Sequence, residues 1–568
     1  MPDTRSWPVT PAALALTLAG FFAAVMLAVL AVDTRVGGDE TYYTDGALRM
    51  LDSGDYFTPR TADGAPRFQK PPLTYWLVAS SWRLFGISHF TARLPFLLAM
   101  SVLLWLTFLL TRTLFASEPA GLLAVAILAG NHNVVYAAER AIPDGPLSMF
   151  VTLGLLGFAQ LIFPRPAPAG GRHADGPGRA RLLAWTGAGL AVATKGLLGL
   201  VLVAFGAGYA RLRGPGAPLA YRVLVGPASL ALGLLAAGGW LVAALAQNGD
   251  ALLQGFLSDQ VAGRFTASAP LPLNVVKHIP HYLLTIAGDF LPWLPLMILA
   301  AVLSPGEARR FLQEHRRAAG FALGWVLLLV VLFSAGNITR PRYMLPAYPV
   351  LAAFSASFLT AVGSAQRCRR SFARLAPAAL MLAAVLSLLL IAFGLRSAGA
   401  ILFAGLALGA GTLLLAGLLR RRPWPASAVG LGVWILLAMA CYEGPIRHAF
   451  QASPVPQVLS GLQALSTTRA PVMALGMDPE ILNALRVGSG GRLWPAAVND
   501  GAGPESAELT AAAALLLGPD ADAAAFAGAG WRLQPAGWDY RRFRGREIRA
   551  VLHGESWQQV MDGNRRTY

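Results

Sequence analysis

Long apolar runs alternate with short polar stretches along most of the chain. A helix needs about 20 apolar residues to cross a bilayer, and fewer where neighbouring helices shield it. The pattern predicts a polytopic α-helical membrane protein whose two termini lie on opposite sides of the membrane. Thirteen membrane helices are predicted, at 11–32, 94–115, 119–136, 144–163, 181–194, 197–212, 222–246, 283–303, 318–334, 343–363, 375–395, 399–419 and 426–442.

The stretch 181–212 fits either one long helix or two short helices broken at Thr194-Lys195-Gly196. With two helices, every loop of more than four residues on the N-terminal side of the membrane carries arginines, as cytoplasmic loops do. A single helix would move the basic loop 211–222 to the other side and invert every later loop. The arginines therefore favour two helices, a cytoplasmic N-terminus and an outer C-terminus.

Composition supports the membrane class. Hydrophobic residues make up 55% of the chain and charged residues 13%, and the mean hydropathy is +0.53, too apolar for a soluble domain. The net charge of +17 comes from clusters in short loops, which argues against a nucleic-acid partner. One basic residue, Arg5, precedes a first apolar run long enough to span, so we expect a retained helix and no cleavable signal.

The chain divides by composition into two parts. Residues 1–442 form the predicted transmembrane domain, and its first outer loop, 33–93, mixes aromatic and apolar residues as helices lying in the membrane interface do. The more polar segment 443–568 predicts a small α/β domain on the outer side. Its predicted strands are at 472–475, 514–517 and 548–552, and a predicted helix is at 479–485.

This topology places the unusual polar clusters on one side of the membrane, the outer side. They are Asp39 and Glu40, Lys70, the turn 139–144, Lys195, the loop 247–282 and the turn 340–343. Carboxylates and cations next to membrane helices suggest a site for a charged or hydroxylated substrate. Simpler interpretations exist for some of them, because Asp144 stands where a helix N-cap is expected.

An enzyme on the outer side has no ATP or sugar nucleotide, so an activated group must arrive on a lipid carrier. Cations near helix ends suit a lipid phosphate, and a carboxylate opposite them can orient or deprotonate an acceptor. This combination predicts sugar transfer from a polyprenyl-phosphate donor.

An ordered series of motifs resembles the membrane-embedded C-type glycosyltransferases. The resemblance is greatest to glycosyltransferase family 83, the 4-amino-4-deoxy-L-arabinose lipid A transferases, and in motifs it extends to about residue 350. The motifs are Gly38-Asp39-Glu40 with Tyr43, Lys70-Pro71-Pro72, Pro143-Asp144, Thr194-Lys195-Gly196, Arg264-Phe265, Phe290-Leu291-Pro292-Trp293, and Pro341-Arg342-Tyr343 with Leu345-Pro346. The resemblance also implies thirteen helices and an outer α/β domain.

The resemblance implies a role for each matching residue. Asp39 would be the principal catalytic carboxylate and Asp144 a second essential acid. The remaining residues would contact substrates: Lys70, Lys195 and Arg264 as cations beside the donor phosphate, Tyr43 and Tyr343 as cavity-lining residues, and Glu40 as a further substrate-binding residue. The implied donor is an undecaprenyl-phosphate-linked sugar and the implied acceptor is lipid A.

Three positions depart from the family pattern. Gln69 stands where the family usually has Glu, Gln260-Val261 where it often has Glu-His, and Tyr42 where Arg is common. The Glu and the His are the groups through which a divalent metal could be held, so we expect no metal cofactor. The departures also leave open which sugar and which acceptor are used.

Two alternatives remain at this stage. A protein O-glycosyltransferase, or another polyprenyl-phosphate-sugar transferase of the same fold, would need a general base if its acceptor were a hydroxyl. A lipid or sugar transporter should carry charges in mid-helix and often shows repeated halves, and this sequence shows neither. We expect a monomer in contact with membrane lipids of the bacterial inner membrane, with a periplasmic active site.

Overall fold

The protein was analysed as a computed structural model. The structure describes residues 10–33, 37–61, 64–164, 176–196, 198–213, 224–249, 252, 271–336, 338–397, 399–421, 424–446, 459–460, 472–475, 479–493, 496–497, 514–517, 538–540 and 565–567.

The first 446 residues are built almost entirely from helices in their described parts. In chain order the helices are α1 Pro11–Val32, α2 Asp39–Ser53, α3 Leu73–Phe85, α4 His89–Phe115, α5 Glu118–Ala129, α6 His132–Ala138, α7 Asp144–Ile162, α8 Pro177–Lys195, α9 Leu198–Arg213, α10 Pro227–Asn248, α11 Leu271–Asp289, α12 Trp293–Leu303, α13 Pro305–Glu314, α14 Arg316–Ser334, a 3-10 helix Pro341–Ala347, α15 Tyr348–Val362, α16 Gln366–Ser397, α17 Gly399–Arg421 and α18 Trp424–Cys441.

Each predicted span coincides with a described helix or helix pair, and the chain is a multi-pass membrane protein. Among the described residues, eight helices are long and apolar enough to cross a membrane, or up to ten spans if each bent pair is counted as one. The total of thirteen stays a prediction. The break predicted inside 181–212 is present, because α8 ends at Lys195 and Gly196 follows with φ of 78°, a conformation that favours glycine.

Two of the predicted spans, 119–136 and 283–303, are each a bent pair of helices. The helices α5 and α6 meet at 67°, and α11 and α12 meet at 87°. At the first bend the side chain of Asn131 accepts hydrogen bonds from the backbone N–H groups of Asn133 (3.1 Å) and Val134 (3.3 Å), so a new helix starts there. At the second bend Pro292, which has no N–H, is the residue before α12.

The two bends are bonded to each other through Asp289. Its backbone carbonyl accepts from the side-chain amide of Asn131 at 2.9 Å, and its carboxylate accepts from Asn133 at 2.5 Å and from the Tyr348 hydroxyl. Backbone groups freed at a break inside a membrane need such partners, since lipid offers none.

The antiparallel helices α7 and α8 pack at close range. A Cβ atom on Gly187 of α8 would lie 2.7 Å from the backbone oxygen of Phe150 in α7, so only glycine allows this approach. The approach places the start of α7 beside the end of α8. Asp144 is the first residue of α7 and Lys195 is the last residue of α8.

Beyond α18 the chain forms a π-helical turn at Tyr442–Ile446 and then α/β structure. Strand β1 (Val472–Leu475) lies between β2 (Ala496–Ala497) and β3 (Ala514–Leu517) in a parallel sheet. Helix α19 (Pro479–Gly488) connects β1 to β2, as a parallel pair requires.

A second pair of strands, β4 (Trp538–Tyr540) and β5 (Arg565–Thr567), is antiparallel. The predicted strands at 472–475 and 514–517 and the helix at 479–485 are present, whereas 548–552 lies outside the described residues. The division into domains at residue 442 stays a prediction.

Candidate active site

Two acids and two cations from four separate elements meet at helix ends. Lys195 Nζ donates to Asp144 Oδ1 at 2.6 Å. Arg342, in the 3-10 helix, bonds Asp39 Oδ2 through Nη2, and its Nε lies 3.4 Å from Asp144 Oδ2. We call Asp39, Asp144, Lys195 and Arg342 the four-charge cluster. Arg342 bridges the two acids that the sequence analysis predicted as catalytic.

Local helix structure explains why these charges lie together. Asp39 and Asp144 are in the first turns of α2 and α7, where a helix favours negative charge, and Lys195 is in the last turn of α8, where it favours positive charge. The alternative role of Asp144 as an N-cap is not realised, because Pro143 is the N-cap residue and both Asp144 oxygens face cations.

Exposure differs sharply within the cluster. The side chain of Asp39 is 45% exposed, whereas those of Asp144, Lys195 and Arg342 are 5%, 13% and 14% exposed. Asp39 is therefore the acid that an incoming substrate can reach. Asp144 is enclosed by its two cations and holds them in place.

The two tyrosines predicted to line the cavity border the cluster. The Tyr343 ring centroid is 4.4 Å from Lys195 Nζ, a cation–π contact. Tyr43 lies one turn after Asp39, and its ring packs 5.1 Å from that of Tyr75. Burial, together with Tyr75, Asp144 and Asp39, raises the pKa of Tyr43 well above its ordinary value, against the opposing effect of Arg67. Its hydroxyl stays protonated, so it can donate a hydrogen bond but cannot act as a base.

Arg67 is a cation beside this site that sequence reasoning missed. Its guanidinium lies 4.2 Å from the ring centroid of Tyr42 and 5.8 Å from that of Tyr43, and Nη1 donates to the Tyr75 hydroxyl at 2.7 Å. The Tyr42 side of this contact is open, since Tyr42 is 47% exposed. A half-buried guanidinium held on tyrosines is suited to an anionic substrate group.

Glu40 lies in the interior, paired with Arg93, and its predicted contact with a substrate stays untested. Although it neighbours Asp39, it is only 1% exposed, and its two oxygens accept from Arg93 Nε and Nη2 at 2.8 and 2.9 Å. The Ala141 N–H (2.9 Å) and Arg140 (3.4 Å) also donate to it. Burial alone would raise the pKa of Glu40, but Arg93, Arg140 and the Ala141 N–H together lower it. These contacts favour a structural role over the predicted substrate contact.

The structure leaves the roles of the other predicted site residues untested. Lys70 is half-buried at the turn before α3, next to the exposed Gln69, and its role as a phosphate-side cation stays a prediction. Arg264 and Val261 lie outside the described residues. Within the described residues, no group of three or more His, Cys, Asp or Glu side chains is arranged to hold a metal ion. The expectation that no metal is bound stays a prediction.

Arg342 is the residue of the cluster that sequence reasoning named only as part of a motif. Its signal was its place between Pro341 and Tyr343, but the sequence does not show that it reaches two acids about 300 and 200 residues earlier in the chain.

Comparisons with known proteins show what the chain is similar to in sequence and in fold. The family model described as dolichyl-phosphate-mannose-protein mannosyltransferase matches residues 12–212. An uncharacterised protein of Aquifex aeolicus is 30% identical over 327 residues, which cover 56% of this chain and 59% of that protein. The undecaprenyl phosphate-alpha-4-amino-4-deoxy-L-arabinose arabinosyl transferase of Pectobacterium atrosepticum is 26% identical over 338 residues, 58% of this chain and 56% of that protein. The aligned chain thus spans less than two thirds of these relatives.

Among solved structures, ArnT from Cupriavidus metallidurans bound to undecaprenyl phosphate matches with a TM-score of 0.64 at 19% identity. The match covers 97% of each chain, so it includes both the helical part and the C-terminal α/β part. The resemblance predicted from the ordered motifs is confirmed: the chain has the fold of the C-type glycosyltransferases and is similar in sequence to the aminoarabinosyl transferases that share it.

Proposed function

We propose that the chain is an inverting glycosyltransferase that moves a sugar from an undecaprenyl-phosphate donor to lipid A or a related outer-leaflet acceptor. The sugar is 4-amino-4-deoxy-L-arabinose or a close relative. The observation that carries the proposal is the four-charge cluster, in which two cations and a reachable carboxylate meet at helix ends. The similarity to named aminoarabinosyl transferases supports the choice of donor and sugar.

The charge balance of the reaction suits this cluster. An acceptor oxygen attacks the anomeric carbon, the bond from that carbon to the donor phosphate oxygen breaks, and the phosphate leaves with the electron pair. The donor phosphodiester carries one negative charge, and the leaving phosphate carries a second. Lys195 and Arg342 offset this growing charge, as preorganised cations do in other transfer reactions.

Arg342 links donor binding to the release of Asp39. In the structure its guanidinium is shared by Asp39 and Asp144, so the two acids and two cations sum to zero net charge. A donor phosphate entering the cluster would compete with Asp39 for Arg342. The Asp39 carboxylate would then be available to orient the acceptor and to offset positive charge that develops on the sugar ring.

The acceptor decides how much base catalysis Asp39 must supply. A lipid A phosphate is already ionised at neutral pH and needs only orientation, whereas a hydroxyl must lose a proton. The match to a protein mannosyltransferase family model favours a protein hydroxyl as the second candidate acceptor. For either acceptor, we propose a monomer without a metal cofactor, in a bacterial inner membrane with its site and C-terminus on the periplasmic side.

Mass spectrometry of lipid A and of envelope proteins tests the proposal. Lipid A from cells that make the protein should carry an added aminopentose or similar sugar, and lipid A from cells lacking it should not. A sugar found only on envelope proteins would instead support the protein O-glycosyltransferase. No sugar difference in either fraction would contradict both candidates.

A further inference from the structure

Helix α19 of the C-terminal segment is bonded directly to the backbone that precedes Asp39. The Gly38 N–H donates to Glu480 Oε1 at 2.5 Å. A Cβ atom on Gly37 would lie 2.8 Å from Glu480 Oε2, so the glycine leaves room for this carboxylate. The contact joins residues 442 positions apart in the chain.

The same helix is bonded along the first two turns of α2. Asn483, which is buried, donates to the backbone oxygen of Thr41 at 3.4 Å and accepts from the Thr44 hydroxyl at 3.1 Å. Arg486 Nη1 donates to Asp45 Oδ1 at 3.0 Å, and the two side chains are 9% and 10% exposed. Positions 480, 483 and 486 are spaced by three, so these side chains form one face of α19.

These contacts act on the part of α2 that carries the site. Asp39 and Tyr43 are in its first two turns, and Gly38 before them adopts φ of 61° and ψ of −134°, outside the regions that other residues readily occupy. Gly38 offers no side chain to cap α2, and its backbone N–H donates to the Glu480 carboxylate, which adds to the negative charge of Asp39 and Glu40 in the first turn. The bond from the Gly38 N–H to Glu480 of α19 thus holds the backbone that sets the orientation of the Asp39 side chain.

We infer that α19 is a positioning element of the active site, with Glu480 as the residue that orients Asp39. Glu480 holds the Gly37-Gly38 backbone, while Asn483 and Arg486 hold the rest of α2 against α19. Only the kinetic test of this inference depends on the proposed function. It gives the C-terminal segment a part in sugar transfer through polar contacts with Gly38, Thr41, Thr44 and Asp45.

The test compares Glu480→Ala with Glu480→Gln, which keeps an oxygen acceptor for Gly38. We expect Glu480→Ala to lower kcat by about ten- to a hundredfold, with KM for the donor within about twofold, because a bond to a charged acceptor is lost. Glu480→Gln should recover most of kcat. The matched control is Glu314→Ala, which removes a glutamate whose side chain is 54% exposed and bonded to Arg310 in α13. Its kcat should equal that of the wild type.

Hydrogen–deuterium exchange gives a readout that does not depend on the reaction. In Glu480→Ala the amides of residues 38–41 should exchange faster, while those of α7 and α8 stay as in the wild type. If the wild type transfers no sugar, the proposed function fails and the exchange pattern still decides the inference. Where Glu480→Ala does not accumulate in the membrane, Arg486→Ala replaces it, with faster exchange expected over residues 41–46.

Three results would overturn the inference: an unchanged kcat in Glu480→Ala, an increase in KM with unchanged kcat, or faster exchange spread evenly over the whole protein. The last result would mean that Glu480 serves stability alone.

Discussion

Replacing Asp39 with asparagine separates a catalytic role from a structural one. The change keeps the shape of the side chain and removes its charge. Among the described residues, Asp39 has one ion-pair partner, Arg342, and its side chain is 45% exposed. Solvent therefore screens the pair, and the loss of folding stability should stay below about 1 kcal/mol. Asparagine starts helices about as well as aspartate does, so α2 should still form.

The expected effect on catalysis is much larger than the effect on folding. If the carboxylate orients the acceptor and offsets positive charge on the sugar ring, its loss should cost at least about 3 kcal/mol of transition-state stabilisation, which is on the order of a hundredfold in kcat. Initial rates of sugar transfer by purified protein, together with the melting temperature in the same detergent, measure both effects.

The same pair of measurements can refute this reasoning. An Asp39→Asn variant with near-normal kcat and an unchanged melting temperature would leave Asp39 without a chemical role. The search for the catalytic acid would then move to Asp144. Asp144→Asn is a less clean probe, because this 5% exposed acid contacts two cations and its loss would leave both of them poorly compensated.

Three further predictions concern the cations, the buried ion pair and the metal. Lys195→Ala and Lys70→Ala should each reduce transfer by about ten- to a hundredfold in steady-state assays while the protein still folds; wild-type rates in both would place the donor phosphate elsewhere. Glu40→Gln should destabilise the protein by about 3 kcal/mol at neutral pH in thermal or chemical unfolding, because it breaks the buried pair with Arg93. The pKa of Glu40 is lowered from 4.5, so the stabilisation by the Glu40 carboxylate is fully present above pH 4.5. The difference in the free energy of unfolding between wild type and Glu40→Gln should therefore narrow as the pH falls below that value. A difference independent of pH would contradict the role of Glu40 as a buried, charged partner of Arg93. Treatment with a chelator should leave the transfer rate nearly unchanged, whereas a loss that a divalent ion restores would show that the protein uses a metal.

The membrane helices could be predicted because spanning a bilayer is a local property of the sequence. A run of about 20 apolar residues has few other stable arrangements, so α1 was predicted at its observed bounds, 11–32. The break after Lys195 could also be predicted, because the arginine-rich loops before and after it favoured two membrane crossings over one. The bend at Asn131 was not, because its cause is a side-chain cap and a bond to Asp289, which is distant in the sequence.

The different surroundings of Asp39 and Glu40 could not be predicted from the sequence. Asp39 and Glu40 are adjacent, and on a helix adjacent side chains point about 100° apart. One meets Arg342 at the site and the other meets Arg93 in the interior, a difference that depends on which helices pack on each face of α2. The roles of Arg342 and Arg67 were hidden for the same reason, because their partners come from other parts of the chain.

Transfer by purified protein from a synthetic undecaprenyl-phosphate-linked aminoarabinose to lipid A tests the central claim most directly. The account predicts that wild-type protein releases one undecaprenyl phosphate for each sugar transferred, with inverted configuration at the anomeric carbon, and that Asp39→Asn is slower by on the order of a hundredfold. Retained configuration, release of the lipid phosphate without sugar transfer, or equal rates for wild type and Asp39→Asn would contradict it.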